Sequence, residues 1–257
     1  MKYETVLVSN DWQIPFHDER ALGVFYKFAK DVRPDKIILA GDIIDFHELS
    51  SFSKDPLHIE RLDQELDIAE KYLKELRRIC PKAEIEYLEG NHEFRIKKYI
   101  FDKADTLGGS SRIRQAIDMP HLLGLYELDI KYIPCAVGTG RWASVYTKVG
   151  DLYVGHFNQV KSWAGMTAKG LVDKMGVNVM QGHTHRMGSH IRKTLDGRYI
   201  GGWENGCLCD LSPKYTSTAD WCHGWSVVIK KKNSKRFQVI QLPLVDYETW
   251  YGGKRYA

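Results

Sequence analysis

The chain has 257 residues, 43% of them hydrophobic, and its 37 basic and 33 acidic residues give a net charge of +4. This length can bury a large core, and we expect one domain spanning residues 1–257, with a charge too small to indicate tight capture of a long polyanion. Because no signal pattern and no apolar run of about 20 residues is present, we expect a cytoplasmic protein with no membrane association.

The first half of the chain alternates strand patterns with helix patterns. Runs of β-branched and aliphatic residues predict strands at residues 5–9, 36–40 and 84–88. Helical periodicity predicts helices near residues 20–30 and over residues 59–76. Strands separated by helices are typical of βαβ units, so this half predicts a largely parallel sheet.

The second half predicts shorter strands joined by tight turns. The strand patterns cover residues 131–133, 144–148, 151–154, 177–181, 189–193, 199–205, 225–230 and 237–242. A helix is predicted near residues 166–175, and the last two strands form a hairpin that turns at residues 231–234. Both halves are satisfied by an α/β fold in which two sheets pack face to face as a sandwich flanked by helices, in four layers ordered α/β/β/α.

The cysteines indicate thiols rather than disulfides. There are five of them: Cys80, Cys135, Cys207, Cys209 and Cys222. Their odd number and the absence of zinc-ribbon spacing predict reduced, mostly buried side chains. Cys207 and Cys209 would share one face of a strand, but a metal or redox role for them is the less favoured interpretation because a second cysteine pair is missing.

Five short polar segments each follow a predicted strand. They lie at residue 11 and at residues 41–42, 90–93, 155–156 and 182–185. Because α/β sheets gather their ligands at strand ends, we expect these segments to meet. Two cations about 3.5–4 Å apart need negative charge between them, and Asp42 is the candidate for the bridging carboxylate.

Each segment also has an ordinary structural interpretation. A Gly-Asp pair is common in turns, and Asn91 with Glu93 fits the start of a helix. A lone histidine such as His156 is more often structural, and His183 with His185 could be a pair on the surface. The combination and order of the five segments favour a metal site over these separate interpretations.

In this order the segments resemble the motifs of the calcineurin-like metallophosphoesterase superfamily. The family pattern is Asp-x-His, Gly-Asp, Gly-Asn-His-Glu or Gly-Asn-His-Asp, Gly-His and Gly-His-x-His, and here it runs from Asp11 to His185. The resemblance implies hydrolysis of a phosphoester by in-line attack of a metal-bridging hydroxide, without a covalent enzyme intermediate. Residues 14–18, 51–56 and 204–211 are also similar to uncharacterised members from bacteria and their phages.

The resemblance further implies two divalent cations, each with its own ligands. The first set is Asp11, Gln13, Asp42 and His185, and the second is Asp42, Asn91, His156 and His183. Gln13 stands where most members carry histidine; as a weaker and harder ligand it favours Mn²⁺, Fe²⁺ or Mg²⁺ over Zn²⁺, with Mn²⁺ expected first. The alternative is that Gln13 only hydrogen-bonds to its neighbours.

By the same resemblance, His92 would act on the substrate rather than bind metal. It would face the scissile phosphate and steady or protonate the leaving oxygen. Asp45 matches the carboxylate that orients this histidine, although a helix cap is an equally good interpretation of its position.

Substrate recognition is less defined by the sequence. Residues near the ligand segments that could contact a phosphate or a base are Arg95, Lys97, Lys98, Tyr99, Trp163 and Arg186, with Arg95 and Arg186 as the chosen candidates. Trp12 and Phe16 could wall the cleft. Most of these side chains are explained equally well as solvated charges or core aromatics.

The leading functional hypothesis is a phosphodiesterase that acts on a nucleotide or nucleic-acid-like substrate. The alternatives are a phosphomonoesterase, a protein phosphatase, and a noncatalytic metal-binding scaffold whose protein partners the sequence does not identify. A metal-dependent amidohydrolase is disfavoured, because its paired histidines usually lie on the first strand and here the pair comes late.

Overall fold

The computed structural model describes residues 2–51, 61–136, 141–212 and 219–257. Thirteen strands lie within these ranges: β1 Tyr3–Ser9, β2 Lys36–Leu39, β3 Glu84–Leu88, β4 Ile130–Ile133, β5 Val145–Val149, β6 Leu152–His156, β7 Asn178–Gln181, β8 Gly188–Lys193, β9 Tyr199–Glu204, β10 Gly224–Lys231, β11 Phe237–Pro243, β12 Thr249–Tyr251 and β13 Lys254–Tyr256.

The strands form two large sheets and one small hairpin. The first sheet has the order β11-β10-β1-β2-β3-β4, with β1 to β4 parallel and β10 and β11 antiparallel. The second has the order β5-β6-β7-β9-β8, with a parallel centre of β6, β7 and β9. The hairpin β12–β13 stands apart from both sheets. The predicted parallel first half and antiparallel terminal hairpin are therefore confirmed.

Seven α-helices connect the strands of the described ranges. They are α1 Glu19–Val32, α2 Leu62–Ile79, α3 Phe94–Lys103, α4 Asp105–Gly109, α5 Ser111–Ala116, α6 Met119–Leu122 and α7 Met166–Met175, and a 3-10 helix covers His47–Leu49. Helix α1 begins where the Asp18 carboxylate accepts the N–H groups of Arg20 and Ala21, and it ends at Arg33 in a left-handed conformation.

Three apolar clusters show the layering. The largest joins α1 and α2 to the outer face of the first sheet, with Phe25 and Trp225 fully buried in it. A second lies between the sheets, where Val8 and Val154 are both inaccessible to solvent. A third joins α7 to the outer face of the second sheet, with Val172 at its centre. The layers are thus α/β/β/α, as the sequence predicted, with the apolar surface of each sheet covered on both sides.

This topology brings the predicted ligand segments to one edge. Strands β1, β2 and β3 are parallel, so the loops that follow them leave the same edge of the first sheet. Strands β6 and β7 are also parallel; β6 itself ends at His156, and the loop at residues 182–185 follows β7. Ligands separated by more than 170 residues in the chain can therefore meet across the two sheets.

Some expectations need correction or fall outside the described residues. Trp12 does not wall a cleft, because its ring is fully buried and packs edge-on against Phe25 with centroids 6.0 Å apart. The strand predicted at residues 151–154 runs from Leu152 to His156, and α3 to α6 and the β12–β13 hairpin were not predicted. Residues 52–56 of the phage-like stretch, and Ile59 of the predicted helix, lie outside the described ranges.

Two expectations from composition agree with the structure. All five cysteines are free thiols, and only Cys222 is more than slightly accessible to solvent. Within the described ranges, no helix is both long and apolar enough to cross a bilayer.

Candidate metal centre

Five of the seven predicted ligands lie on backbone that non-glycine residues rarely adopt. Asp11, Gln13, Asp42, His183 and His185 have φ angles of 51°, 50°, 53°, 77° and 57°. Each such conformation costs energy for a side chain with a Cβ atom, so a cluster of them at strand ends marks a site where geometry is held by the surrounding structure. We call the seven predicted ligands, including Asn91 and His156, the candidate metal centre.

Three residues of the first predicted set, Asp11, Gln13 and His185, meet at the His185 imidazole. Its Nε2 atom lies 3.1 Å from Asp11 Oδ1 and 3.1 Å from the Gln13 side-chain amide. The amide nitrogen of Gln13 is placed on this side, but rotation of the amide by about 180° would present its oxygen instead. Burial raises the pKa of Asp11, but His185 outweighs it and lowers the pKa below its usual value.

The second predicted set meets at His156. Its Nε2 atom lies 3.2 Å from Asp42 Oδ2, 3.1 Å from Asn91 Oδ1 and 3.2 Å from His183 Nδ1. The other ring nitrogen, Nδ1, is 2.8 Å from the Ala40 carbonyl, which fixes the tautomer and turns Nε2 inward. Burial opposes protonation of His156, but the Asp42 carboxylate outweighs it and raises the pKa to about 10.

The donor set fits divalent cations. Ligand atoms bound to one ion at about 2.0–2.2 Å lie roughly 3.0–3.5 Å apart, which is the spacing seen in both sets. Asp11 and Asp42 are 0% and 1% exposed, so their charges need a buried positive partner. The two sets are joined where the His183 N–H donates to Asp11 Oδ2 at 2.7 Å.

His92 is placed beside the candidate metal centre by Asp45. Its Nδ1 lies 2.8 Å from Asp45 Oδ2, and its Nε2 lies 3.7 Å from Asp42 Oδ2. Burial opposes protonation of His92, but Asp42 and then Asp45 raise its pKa above the usual value. The alternative of Asp45 as a helix cap is wrong, because the 3-10 helix starts after Phe46 without a side-chain cap.

The two chosen arginines both have partners within the protein. Arg95 donates to Asp45 Oδ1 at 2.7 Å and lies 3.1 Å from His92 Nε2. Arg186 donates to Asp220 Oδ1 at 2.6 Å and to the Lys161 carbonyl at 2.6 Å. The structure places both near the predicted ligands but gives each guanidinium an internal acceptor.

Glu93 has a role that the sequence did not reveal. Its buried carboxylate accepts the N–H groups of Asp42 at 3.0 Å and Ile43 at 2.7 Å, and the Tyr87 hydroxyl at 2.7 Å. Burial and the Asp42 charge raise the pKa of Glu93 to about 7. This side chain fixes the loop that carries Asp42, whereas the sequence suggested only the first turn of a helix.

A pair of buried asparagines was also missed. Asn10 donates to Asp11 Oδ2 at 2.6 Å, and Asn205 donates to Asn10 Oδ1 at 2.6 Å and to the Val8 carbonyl at 3.1 Å. Ser226 completes the network by donating to Asn205 Oδ1 at 2.6 Å. The signal for Asn205 was its place in the phage-like stretch 204–211, which gave no role.

Two tryptophans flank the histidines. The Trp142 ring is stacked on His183 at 6.2 Å and meets His156 edge-on at 5.5 Å. The Trp221 ring meets His185 edge-on at 4.1 Å. These aromatic contacts restrict the rotation of the imidazoles and reduce access of water to them.

The fold and the site together define a class of protein. A helix-flanked sandwich of two sheets, with carboxylate, amide and imidazole donors at its strand ends, is the arrangement of metallophosphoesterases. The family model described as "Calcineurin-like phosphoesterase" matches residues 4–187, and the chain belongs to this family.

Relatives with similar sequences come from phages. The "Gene 54 protein" of Mycobacterium phage D29 is 26% identical over 251 residues, covering 92% of this chain and 93% of the relative. The "Gene 54 protein" of Mycobacterium phage L5 is 24% identical over 188 residues, covering 71% and 69%. The expected similarity to phage proteins is thus confirmed.

The solved structures that are similar to this chain are more distant in sequence. A single mutant of Vps29 from Entamoeba histolytica has 13% identity and a TM-score of 0.46, with 96% of both chains covered. YfcE, described as a phosphoesterase from E. coli, has 10% identity and a TM-score of 0.36, with 92% of this chain and 98% of that chain covered.

Proposed function

We propose that the protein is a phosphodiesterase that uses two divalent cations, with Mn²⁺ as the preferred metal, to hydrolyse a nucleotide or nucleic-acid-like ester. Asp11, Gln13, Asp42 and His185 would hold one cation, and Asp42, Asn91, His156 and His183 the other. When bound, such a pair of cations lowers the pKa of water and neutralises charge on the phosphoryl oxygens.

The position of Asp42 is the observation that carries this proposal. Its carboxylate is 3.2 Å from His156 Nε2, and its charge outweighs burial and raises the pKa of His156. Burial opposes protonation of His185, Asp11 is the main cause of its raised pKa, and the charge of Asp42 adds a smaller contribution. One buried carboxylate therefore acts on the central histidine of each predicted set. A bridging ligand between two cations needs this placement.

His92 would supply the proton for the leaving oxygen. Its Nδ1 faces Asp45 at 2.8 Å, so the proton available for transfer is the one on Nε2, on the side of Asp42. The carboxylates of Asp42 and Asp45 favour the protonated form of His92, as a general acid requires. Arg95 donates to Asp45 Oδ1 at 2.7 Å and so fixes the carboxylate of this pair. Its second amino group lies 3.1 Å from His92 Nε2 and turns away when that nitrogen carries the proton, because both groups are donors.

Charge favours a diester over a monoester. A monoester carries a second negative charge, which an unpaired arginine or lysine would stabilise through charge-assisted hydrogen bonds. Here Arg95 is paired with Asp45 and Arg186 with Asp220, and Lys97 is paired with Glu89 at 2.7 Å. A singly charged diester could bind without any of these side chains leaving its acidic partner.

Hydrolysis of bis-nitrophenyl phosphate and mono-nitrophenyl phosphate with Mn²⁺ tests this function. We expect the wild type to prefer the diester. Asp42→Asn should lose both metal and turnover. His92→Ala should keep its metal and lose at least about 100-fold in kcat on a cyclic nucleotide, whose alkoxide leaving group needs a proton, and lose less on the nitrophenyl esters. His121→Ala, which removes an exposed histidine of α6, is the matched control and should behave as wild type.

Metal content measured on the same samples separates the alternatives. Preference for the monoester would show that the protein is a phosphomonoesterase and not a phosphodiesterase. Two bound metals with no turnover of any ester would favour the noncatalytic scaffold. Full turnover in His92→Ala would remove its role as the proton donor.

A further inference from the structure

A second group of metal-ligand side chains lies behind His185. Its imidazole presents Nε2 to Asp11 Oδ1 at 3.1 Å and Nδ1 to Cys209 Sγ at 3.7 Å. A ring nitrogen of His185 and the sulfur atoms of Cys207 and Cys209 lie within 4.8 Å of one another, and all three residues are buried. One imidazole therefore faces an oxygen-rich site on one edge and two sulfur atoms on the other.

The backbone holds both thiols in place. Cys207 and His223 form an isolated backbone β-bridge, and the Cys207 N–H donates to the Cys222 carbonyl at 3.0 Å. Cys209 and His17 form a second isolated β-bridge, and the Cys209 carbonyl is 2.8 Å from His223 Nε2. Because the segment is fixed on both sides, the two sulfur atoms keep their common direction without a bound ligand.

We propose that His185, Cys207 and Cys209 form a separate site for one thiophilic divalent cation, such as Zn²⁺ or Cd²⁺, and that filling this site withdraws His185 from the candidate metal centre. Tetrahedral zinc with Zn–S of about 2.3 Å and Zn–N of about 2.0–2.1 Å places its ligand atoms roughly 3.5–3.8 Å apart. The observed 3.7 Å between Cys209 and His185 has this spacing.

Charge and softness support this occupant. Two thiolates and a neutral imidazole balance a dication, so the filled site adds no net charge to the buried interior. Thiolates select Zn²⁺ and Cd²⁺ over the hard cations Mn²⁺ and Mg²⁺, whereas the carboxylate and amide donors of the candidate metal centre suit the hard cations. The two sites would thus sort cations by chemical type.

The proton balance explains why the two sites compete for His185. Binding releases the two thiol protons, and the Nδ1 lone pair of neutral His185 becomes a ligand. The imidazole proton then sits on Nε2, where it donates to Asp11 Oδ1 at 3.1 Å. Nε2 can no longer bind metal, so the centre loses its only imidazole from the first set. Inhibition of hydrolysis by a cation at the thiolate site rests on the proposed function, whereas binding of the cation there does not.

Titration of the metal-free, reduced full-length protein with Cd²⁺ tests the site. Thiolate-to-cadmium charge transfer absorbs in the ultraviolet, and we expect this band to saturate in wild type. Cys80→Ser removes a buried thiol at the end of α2 and should keep the band as the matched control. The double variant Cys207→Ser/Cys209→Ser should lose it. If the double variant does not fold by circular dichroism, the single Cys209→Ala variant should weaken the band instead.

An absent band in folded wild type, or an unchanged band in a folded variant of Cys207 or Cys209, would overturn the site. A second measurement adds Zn²⁺ to the Mn²⁺-supported enzyme. We expect wild type and Cys80→Ser to lose activity in step with filling of the thiolate site, and Cys209→Ala to retain its own starting activity. A cadmium band without inhibition would show that His185 is not shared. A cadmium band in a protein without any hydrolase activity would support the site while contradicting the proposed function.

Discussion

Single residues orient His156 and His185 of the candidate metal centre by contacting the second ring nitrogen of each imidazole. The Ala40 carbonyl faces Nδ1 of His156, whereas the Cys209 sulfur faces Nδ1 of His185. In each case the partner leaves Nε2 directed at a buried carboxylate. A carbonyl and a sulfur differ in hydrogen-bond strength, so we expect the two imidazoles to be held with different firmness.

We predict that Gln13 influences which cation the candidate metal centre prefers. Replacing its neutral amide by imidazole in Gln13→His should raise the affinity for Zn²⁺ at least about tenfold and change that for Mn²⁺ less, because imidazole is the better ligand for Zn²⁺. Isothermal titration of the metal-free protein with each cation measures this. Gln13→Leu is the control that removes the ligand and should weaken both cations. Equal Zn²⁺ affinity in the glutamine, histidine and leucine forms would mean that residue 13 does not touch metal.

The sequence indicated the candidate ligands more clearly than the residues that hold them in place. Asp42 and His156 stood in short motifs at strand ends, so pattern alone indicated them. Glu93 reaches back to the N–H groups of Asp42 and Ile43, about 50 residues earlier in the chain, and Asn205 bonds to Asn10 across 195 residues. Such contacts depend on how strands are ordered across a sheet, which local patterns do not specify.

At the scale of elements, the loop after β3 must approach the loop after β2 very closely. A Cβ atom on Gly90 would overlap the Asp42 carboxylate and lie 2.5 Å from the Asp42 amide nitrogen and 2.8 Å from Glu93 Oε2. Neither neighbour can move without disturbing the candidate metal centre. Glycine is therefore required here by the packing of two strand ends, since residue 90 itself does not have a positive φ angle.

Gly90→Ala should destabilise the fold and weaken metal binding, whereas Gly23→Ala should not. Gly23 lies inside α1, where an added methyl group would meet no other atom within 4 Å, so alanine there should stabilise by up to about 1 kcal/mol through its higher helix propensity. Urea unfolding and metal titration of the two variants measure the difference. Similar stability of both variants would contradict the close approach of the two loops.

The contact between α2 and the 3-10 helix creates a pH dependence. Glu65 is fully buried and accepts the His47 N–H with both oxygens at 3.1 Å. Burial and then the charge of Asp45 raise the pKa of Glu65 from 4.5 to about 8. The folded state thus holds this proton more tightly than the unfolded state, so stability is lost as the pH rises from 4.5 to about 8.

Glu65→Gln should remove this loss, because the amide stays neutral. The variant should gain stability relative to wild type as the pH rises, by at most about 5 kcal/mol above the folded-state pKa. Urea unfolding from about pH 5 to about pH 9 measures it. Glu127→Gln, at an exposed glutamate, is the control and should follow the wild-type profile. Parallel profiles for all three proteins would contradict a neutral buried carboxyl group.

Elements with strong periodicity were predictable, and short ones were not. Helix α7 was predicted at residues 166–175 and spans Met166–Met175. Helices α4, α5 and α6 have four to six residues each, too short for a helical period to stand out. The β12–β13 hairpin has strands of three residues, and its place beside α1 depends on tertiary contacts of Tyr251 and Tyr256 with Phe28.

At the scale of the whole molecule, the candidate metal centre joins the two sheets. Its ligands follow β1, β2 and β3 of one sheet and β6 and β7 of the other. Asn205, at the end of β9, donates to the Val8 carbonyl of β1 and so ties the sheets together behind Asp11. The α/β/β/α order could be predicted from the alternation of elements, but the face-to-face placement that closes the centre is a property of the assembled sandwich.

Anomalous diffraction from crystals grown with Mn²⁺ tests the central claim most directly. The account predicts two manganese peaks about 3.5–4 Å apart, both within bonding distance of the Asp42 carboxylate, with His185 at one and His156 at the other. A single peak, no peak at saturating Mn²⁺, or peaks that do not share Asp42 would contradict it.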